Sequence, residues 1–169
     1  MIKIGKSIPD ISFYSCQPND KEELEKIIKE RIKQEGPNCD LNDIDVSLIT
    51  DMSYLFLKSK FNGDISRWDV SNVKDMHCMF LNSAFNGDIS KWDVSNVKKM
   101  FWMFGRSEFN QDISKWDVSN VKDMTAMFSC SCFDCDISRW KLNKNCYTGN
   151  MFYKCPIKEE YKPKSLQKK

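Results

Sequence analysis

Cysteine is the residue type in this 169-residue chain best suited to chemistry, and five of the eight cysteines crowd into its last third: Cys130, Cys132, Cys135, Cys146 and Cys155. Thiolates spaced as C-x₂₋₄-C hold Zn²⁺ when four ligands come within tetrahedral reach. Cys132 and Cys135 form such a knuckle, and Cys130, Cys132, Cys135 and Cys146 are the set a zinc site would use. A disulfide cap and free thiols are the alternatives. The opening residues, MIKIGKSIPDISFYSC, scatter charges through the region where a secretory leader needs an apolar stretch. Reduced, free thiols are therefore the favoured expectation, with no cofactor and no bound metal.

His77 is the single histidine, next to Cys78 and close to Asp75. A Cys–His nucleophile needs both side chains to converge on a pocket, and neighbours along one short element rarely converge. Neither a Gly-rich phosphate loop, nor H-E-x-x-H, nor G-x-S-x-G occurs. The chain is read as not an enzyme.

Two further sets recur along the chain. Asp64, Asp88, Asp112 and Asp136 form an acidic ladder. Stacked carboxylates can take Ca²⁺ through oxygen. The tandem glycines of calcium-binding repeats are missing, so hydrogen bonds from nearby backbone N–H groups are the better expectation. The second set is the mixed-charge stripe Arg67/Asp69, Lys91/Asp93, Lys115/Asp117 and Arg139/Lys141. Its simplest role is a solvated face, on which each ion pair is worth about 0–1 kcal/mol. Its functional role would be a concave surface for a protein partner.

What positions these residues is a repeat. Trp68, Trp92, Trp116 and Trp140 lie 24 residues apart, as do Phe61, Phe85, Phe109 and Phe133, and Phe56, Phe80, Phe104, Phe128 and Phe152. A fixed period of this length means stacked units, none of which can bury its apolar face alone. Within a unit, Ile65, Trp68, Val70 and Val73 follow the leucine-rich-repeat spacing. The spacing predicts a short strand over 67–70, with Trp68 and Val70 inward and Arg67 and Asp69 outward. Val73, Met76, Met79 and Phe80 then predict a helix of one or two turns. The expected fold is an α/β repeat solenoid, a leucine-rich-repeat-like right-handed coil of short parallel strands and short helices. A parallel β-helix is the alternative.

The chain divides into residues 1–36, residues 37–156 with five 24-residue repeats, and a basic tail over 157–169. In the first part, Ile2, Ile4, Ile11 and Phe13 could supply a short strand. A capping helix is expected over 20–35, opened by Asp20 and Glu23 and closed by Gly36 and Pro37. The first repeat is divergent. The last is degenerate, with Asn145 and Thr148 at positions that are apolar elsewhere, which suits an end with no neighbour. The tail is expected to fray. From Lys154 onward, six lysines against Glu159 and Glu160 give a local charge of +4; with the whole chain at +2, the residues before Lys154 sum to −2. That argues against a nucleic-acid groove. Apolar runs are far too short to span a membrane.

The residues FNGDISRWDVSNVKDMHCMF, preceded by DIDVSLITDMSYLF and a capping helix, resemble the BspA-like bacterial surface-protein repeat family, whose repeat also occurs in mycoplasma-type lipoproteins. The resemblance runs over about 20–164, including the closing IKEEYKPK. It implies a leucine-rich-repeat-like solenoid without catalytic residues, in proteins that are often surface-exposed and linked to adhesion or host contact. No lipoprotein leader or anchor is read in this chain, so the sequence by itself predicts a cytoplasmic protein or one that leaves the cytoplasm by a route without a classical leader, which puts it at odds with surface display and leaves the location open. The expected activity is a non-enzymatic interaction scaffold for a protein partner, monomeric because its two ends differ. A metal- or redox-responsive protein using the C-terminal cysteines, and an architectural spacer, are the alternatives.

Overall fold

The computed structural model describes residues 14–168. The strand expected between Ile2 and Phe13 lies outside them. Helix α1 spans Lys21–Glu35. Its first turn is closed by the Asp20 carboxylate, which accepts the Glu23 N–H at 2.8 Å. Glu23 in turn accepts the N–H of Asn19 at 2.9 Å, one residue earlier than in the usual reciprocal box. Gly36, at φ 89°, ends the helix and donates its N–H to Ile32. Leu24 and Ile28 are buried in the same apolar cluster as the first repeats. Arg31 ties the helix to the chain beyond it, 3.0 Å from the Asp43 carboxylate.

Beyond α1 the expected α/β solenoid is not what forms. No strand ladder exists among the described residues, only isolated parallel bridges, and most of the chain is turns and coil. The leucine-rich-repeat-like strands and helices, and the parallel β-helix, are both overturned by this. The units nevertheless stack in register. Bridges join Asp40 to Asp64, Asp51 to Asp75, Asp75 to Lys99, Lys99 to Asp123 and Asp123 to Tyr147.

The expected helix after Val73 is replaced by two tight turns per repeat. Cys78 and Asn82 both have positive φ, and so do their counterparts Tyr54 and Lys58, Trp102 and Arg106, Ala126 and Cys130, Asn150 and Lys154. A left-handed residue every fourth position cannot continue a right-handed helix. The hydrogen bonds show what replaces it. Alternate N–H groups, those of Met76, Cys78, Phe80 and Asn82, donate to Lys99, Phe101, Met103 and Gly105 of the next repeat. Between them, the N–H groups of Met79 and Leu81 close turns onto Met76 and Cys78. The same four-bond junction recurs from Met52 to Cys130, so this segment is the backbone seam of the stack.

Over 67–70 no strand forms because no backbone bond joins one repeat to the next there. Side chains do that work. The indole Nε1–H of Trp68 donates to the Leu41 carbonyl at 2.9 Å, and those of Trp92, Trp116 and Trp140 donate to Ile65, Ile89 and Ile113 at 3.0–3.1 Å. Asn72, Asn96 and Asn120 donate their amides to the carbonyls of Ser47, Ser71 and Ser95. Side-chain bonding satisfies the carbonyls without requiring extended backbone.

The core is a set of aromatic columns. Rings of Phe56, Phe80, Phe104, Phe128 and Phe152 stack in near-parallel pairs 5.5–5.9 Å apart. Phe61, Phe85, Phe109 and Phe133 form a second column at 6.1–6.3 Å, each cross-stacked at 4.1–4.6 Å on the first-column ring that ends the preceding repeat. Each ring in the middle of the stack is fully buried. Close approach fixes one residue type: a Cβ at Gly63 would sit 1.9 Å from the Cys39 carbonyl oxygen, which is backbone and cannot yield.

The tail does not fray. It carries two single 3₁₀ turns, Glu159–Tyr161 and Lys164–Leu166. Its Tyr161 carbonyl accepts the Ile137 N–H at 2.9 Å, and Ile157 and Pro163 are buried. No helix among the described residues is long and apolar enough to cross a membrane.

Candidate functional site

The alternation of Trp68 and Val70 inward with Arg67 and Asp69 outward survives the loss of the strand, because the indole anchors the segment from inside. All eight stripe residues are exposed: Arg67, Asp69, Lys91, Asp93, Lys115, Asp117, Arg139 and Lys141. The acids are also structural. Asp69, Asp93 and Asp117 each accept the N–H two residues on, from Ser71, Ser95 and Ser119, at 3.0 Å. The Asp117 carboxyl is held below the usual range by the hydroxyl and N–H of Ser119, with help from Lys141.

The acidic ladder is built the same way. Asp64, Asp88, Asp112 and Asp136 accept N–H groups from Ser66, Ser90, Ser114 and Ser138 at 2.8–2.9 Å. Those bonds lower the carboxyls of Asp88, Asp112 and Asp136, with smaller contributions from Lys91, Lys115 and Arg139. At Asp64, partial burial opposes ionisation, but the Ser66 and Asn42 bonds outweigh it and the net direction is down. Ladder and stripe therefore make one charged band: the carboxylates Asp64, Asp88, Asp112 and Asp136 beside the cations Arg67, Lys91, Lys115 and Arg139, then Asp69, Asp93 and Asp117, with Lys141 in the carboxylate's place in the last repeat.

The cysteines are not assembled into a ligand set. No group of three or more His, Cys, Asp or Glu residues placed to hold a metal occurs among the described residues. Each thiol is free. Cys135 lies 3.3 Å from Asn110 Oδ1, Cys155 lies 3.1 Å from the Phe133 carbonyl, and Cys146 lies 3.6 Å from that of Tyr147. Burial pushes the thiols of Cys135, Cys146 and Cys155 up, away from the thiolate that a metal requires.

His77 and Cys78 likewise diverge. The His77 Nδ1 lies 2.6 Å from Asp75, its ring stacks on Phe101 at 4.4 Å, and Tyr54 meets it edge-on at 4.5 Å. Cys78 is buried, and burial together with the Asp75 charge raises its thiol. Asp75 also holds Lys99 at 3.0 Å; burial opposes its ionisation, but the bonds from His77 and Lys99 keep its carboxyl low. This is a packed bridge between repeats.

A hollow of about 250 Å³ opens on the turn seam, lined by Lys58, Cys78, Leu81, Asn82, Trp102 and Arg106. The signal that could have found it is the set of positions at which otherwise near-identical repeats differ.

The register, the aromatic columns and the charged band define a tandem-repeat protein of stacked 24-residue units. More particularly, the chain belongs to the family described as Mycoplasma protein of unknown function, DUF285, which matches residues 23–129 and 82–162. The two matches overlap, as in-register repeats allow. No similar curated protein and no similar solved structure was found.

Proposed function

We propose that the protein is a non-enzymatic interaction scaffold that engages a protein partner along the charged band. The observation that carries this reading is the exposure of all eight stripe residues over an interior that holds them at fixed repeat spacing. Charge columns of alternating sign reward a partner with the complementary order and penalise one that is out of register. A binder is favoured over a catalyst because the thiol nearest the lone histidine is buried and raised. The likeness of the repeat to BspA-like surface repeats extends the proposal to display at a bacterial surface or contact with a host. Differently built ends, α1 at one and the folded tail at the other, support a monomer.

The test is capture from lysates of the source cell on immobilised protein, compared with the double variant Lys91→Glu with Lys115→Glu. Loss of the captured partner by about tenfold or more is expected. Capture that survives undiminished would remove the band from the reading and leave the architectural spacer.

A further inference from the structure

Repeats 61–84 and 85–108 are identical at 17 of 24 positions. The stacked aromatic columns explain much of that identity, since a core residue must match the one above and below it. Three of the seven differences, Cys78/Trp102, Leu81/Gly105 and Asn82/Arg106, fall together on the turn seam. They build the hollow. Cys78, Leu81 and Asn82 come from one repeat, Trp102 and Arg106 from the next, and Lys58 from the one before.

The hollow's shape depends on a paired exchange. At Gly105 a Cβ would lie 2.4 Å from Trp102 Cε3 and 3.2 Å from Leu81 Cδ1. The glycine therefore lets the indole lie flat across the seam, where Leu57, Leu81 and Ser129 carry side chains at the equivalent positions. Trp102 is half-buried, and with Leu81 and the buried Cys78 it makes an apolar floor. Lys58 and Arg106 stand at the rim, in one column and two repeats apart, both exposed and both at φ 54°. Neither makes an ion pair among the described residues, and no carboxylate lines the hollow. The rim thus carries two uncompensated positive charges around an apolar floor.

A volume of about 250 Å³ is below the usual range for small-ligand pockets, about 300–1,000 Å³, and suits one large side chain. We propose that the hollow is a docking site for an extended acidic segment of a partner protein. One Phe, Leu or Met of that segment seats on Trp102 and Leu81, and its flanking Asp or Glu residues pair with Lys58 and Arg106. Asn82, between the two cations, offers its amide to the segment's backbone. The site is distinct from the charged band and does not rest on it.

The test is selection of a random dodecapeptide display library on the full chain, followed by calorimetric titration of the enriched peptides. Enriched peptides are expected to carry a large apolar residue flanked by acids. Their affinity should fall by about tenfold or more in Lys58→Glu with Arg106→Glu, and also in Trp102→Ala, and should be unchanged in Lys91→Glu with Lys115→Glu. Thermal melts check that each variant remains folded, which exposed rim positions allow. The proposal is overturned by failure to enrich acidic–apolar peptides, by binding that survives reversal at 58 and 106, or by binding lost only in the band variant.

Discussion

Aspartate recurs in this chain because its carboxylate can replace a backbone acceptor at a turn. Asp88, Asp112 and Asp136 each hold a serine N–H two residues on, and those bonds lower their carboxyls. The folded values lie below the unfolded ones, so the stabilisation is complete above about pH 4 and is lost as pH falls through the depressed folded values. Acid should therefore destabilise the protein in proportion to the number of such turns. Asparagine keeps the Oδ1 acceptor but does not titrate. The triple variant Asp88→Asn, Asp112→Asn, Asp136→Asn should lose less of its urea midpoint than the parent between about pH 4 and pH 2. An unchanged acid slope would mean that other carboxylates set it.

At the scale of elements, the stack has two unlike sides. One is a seam of backbone bonds through left-handed turns, and the other is stitched by indole and amide groups. The second side makes a sharp prediction. Trp92→Phe keeps most of the ring but removes the Nε1–H that reaches the Ile65 carbonyl at 3.1 Å in a buried setting. An acceptor left without a donor costs about 1–3 kcal/mol, so chemical denaturation should show a loss of that order. Asn96→Ala, which removes an exposed amide bond of 2.7 Å to Ser71, should cost less, about 0.5–1.5 kcal/mol. The same side explains what the sequence could and could not reveal. The repeat period, the buried columns and the helix opened by Asp20 were legible, because each rests on residue type at a fixed spacing. The strand and helix were not. Val73, Met76, Met79 and Phe80 share one buried side at spacings that fit a helix, yet tight turns with Cys78 and Asn82 at positive φ produce the same burial. Only Asn82 and Asn150 among the ten left-handed positions are asparagines, so the backbone reversal left almost no mark in composition. Within the candidate site, the exposed stripe followed from alternation around Trp68. The hollow did not, because it depends on three repeats meeting.

For the whole molecule, the decisive question is what closes a stack that could otherwise continue. At the first end, Ser15 and Cys16 pair with Asp43 and Asp45, and α1 buries Leu24 and Ile28 against the first repeats. At the other end, the tail packs on the last repeat. Tyr161 takes the Ile137 N–H, Lys162 lies 5.7 Å from the Phe152 ring centroid and 2.6 Å from Glu159, and Glu159 also accepts the Lys168 N–H at 2.7 Å. Lys162 of the basic tail is thus internal to the cap. A chain stopped after Pro156 would lose the buried Ile157 side chain, worth about 1.5–3 kcal/mol, and the Ile137 hydrogen bond, worth about 1 kcal/mol. It would also uncover the aromatic columns at Phe152 and Trp140. The expected outcome is a stability lowered by about 2.5–4 kcal/mol in chemical denaturation, with mass rising with concentration in sedimentation as uncovered ends meet. A truncated chain that stays monomeric and equally stable would show that the last repeat is self-sufficient and that the tail merely rests on it.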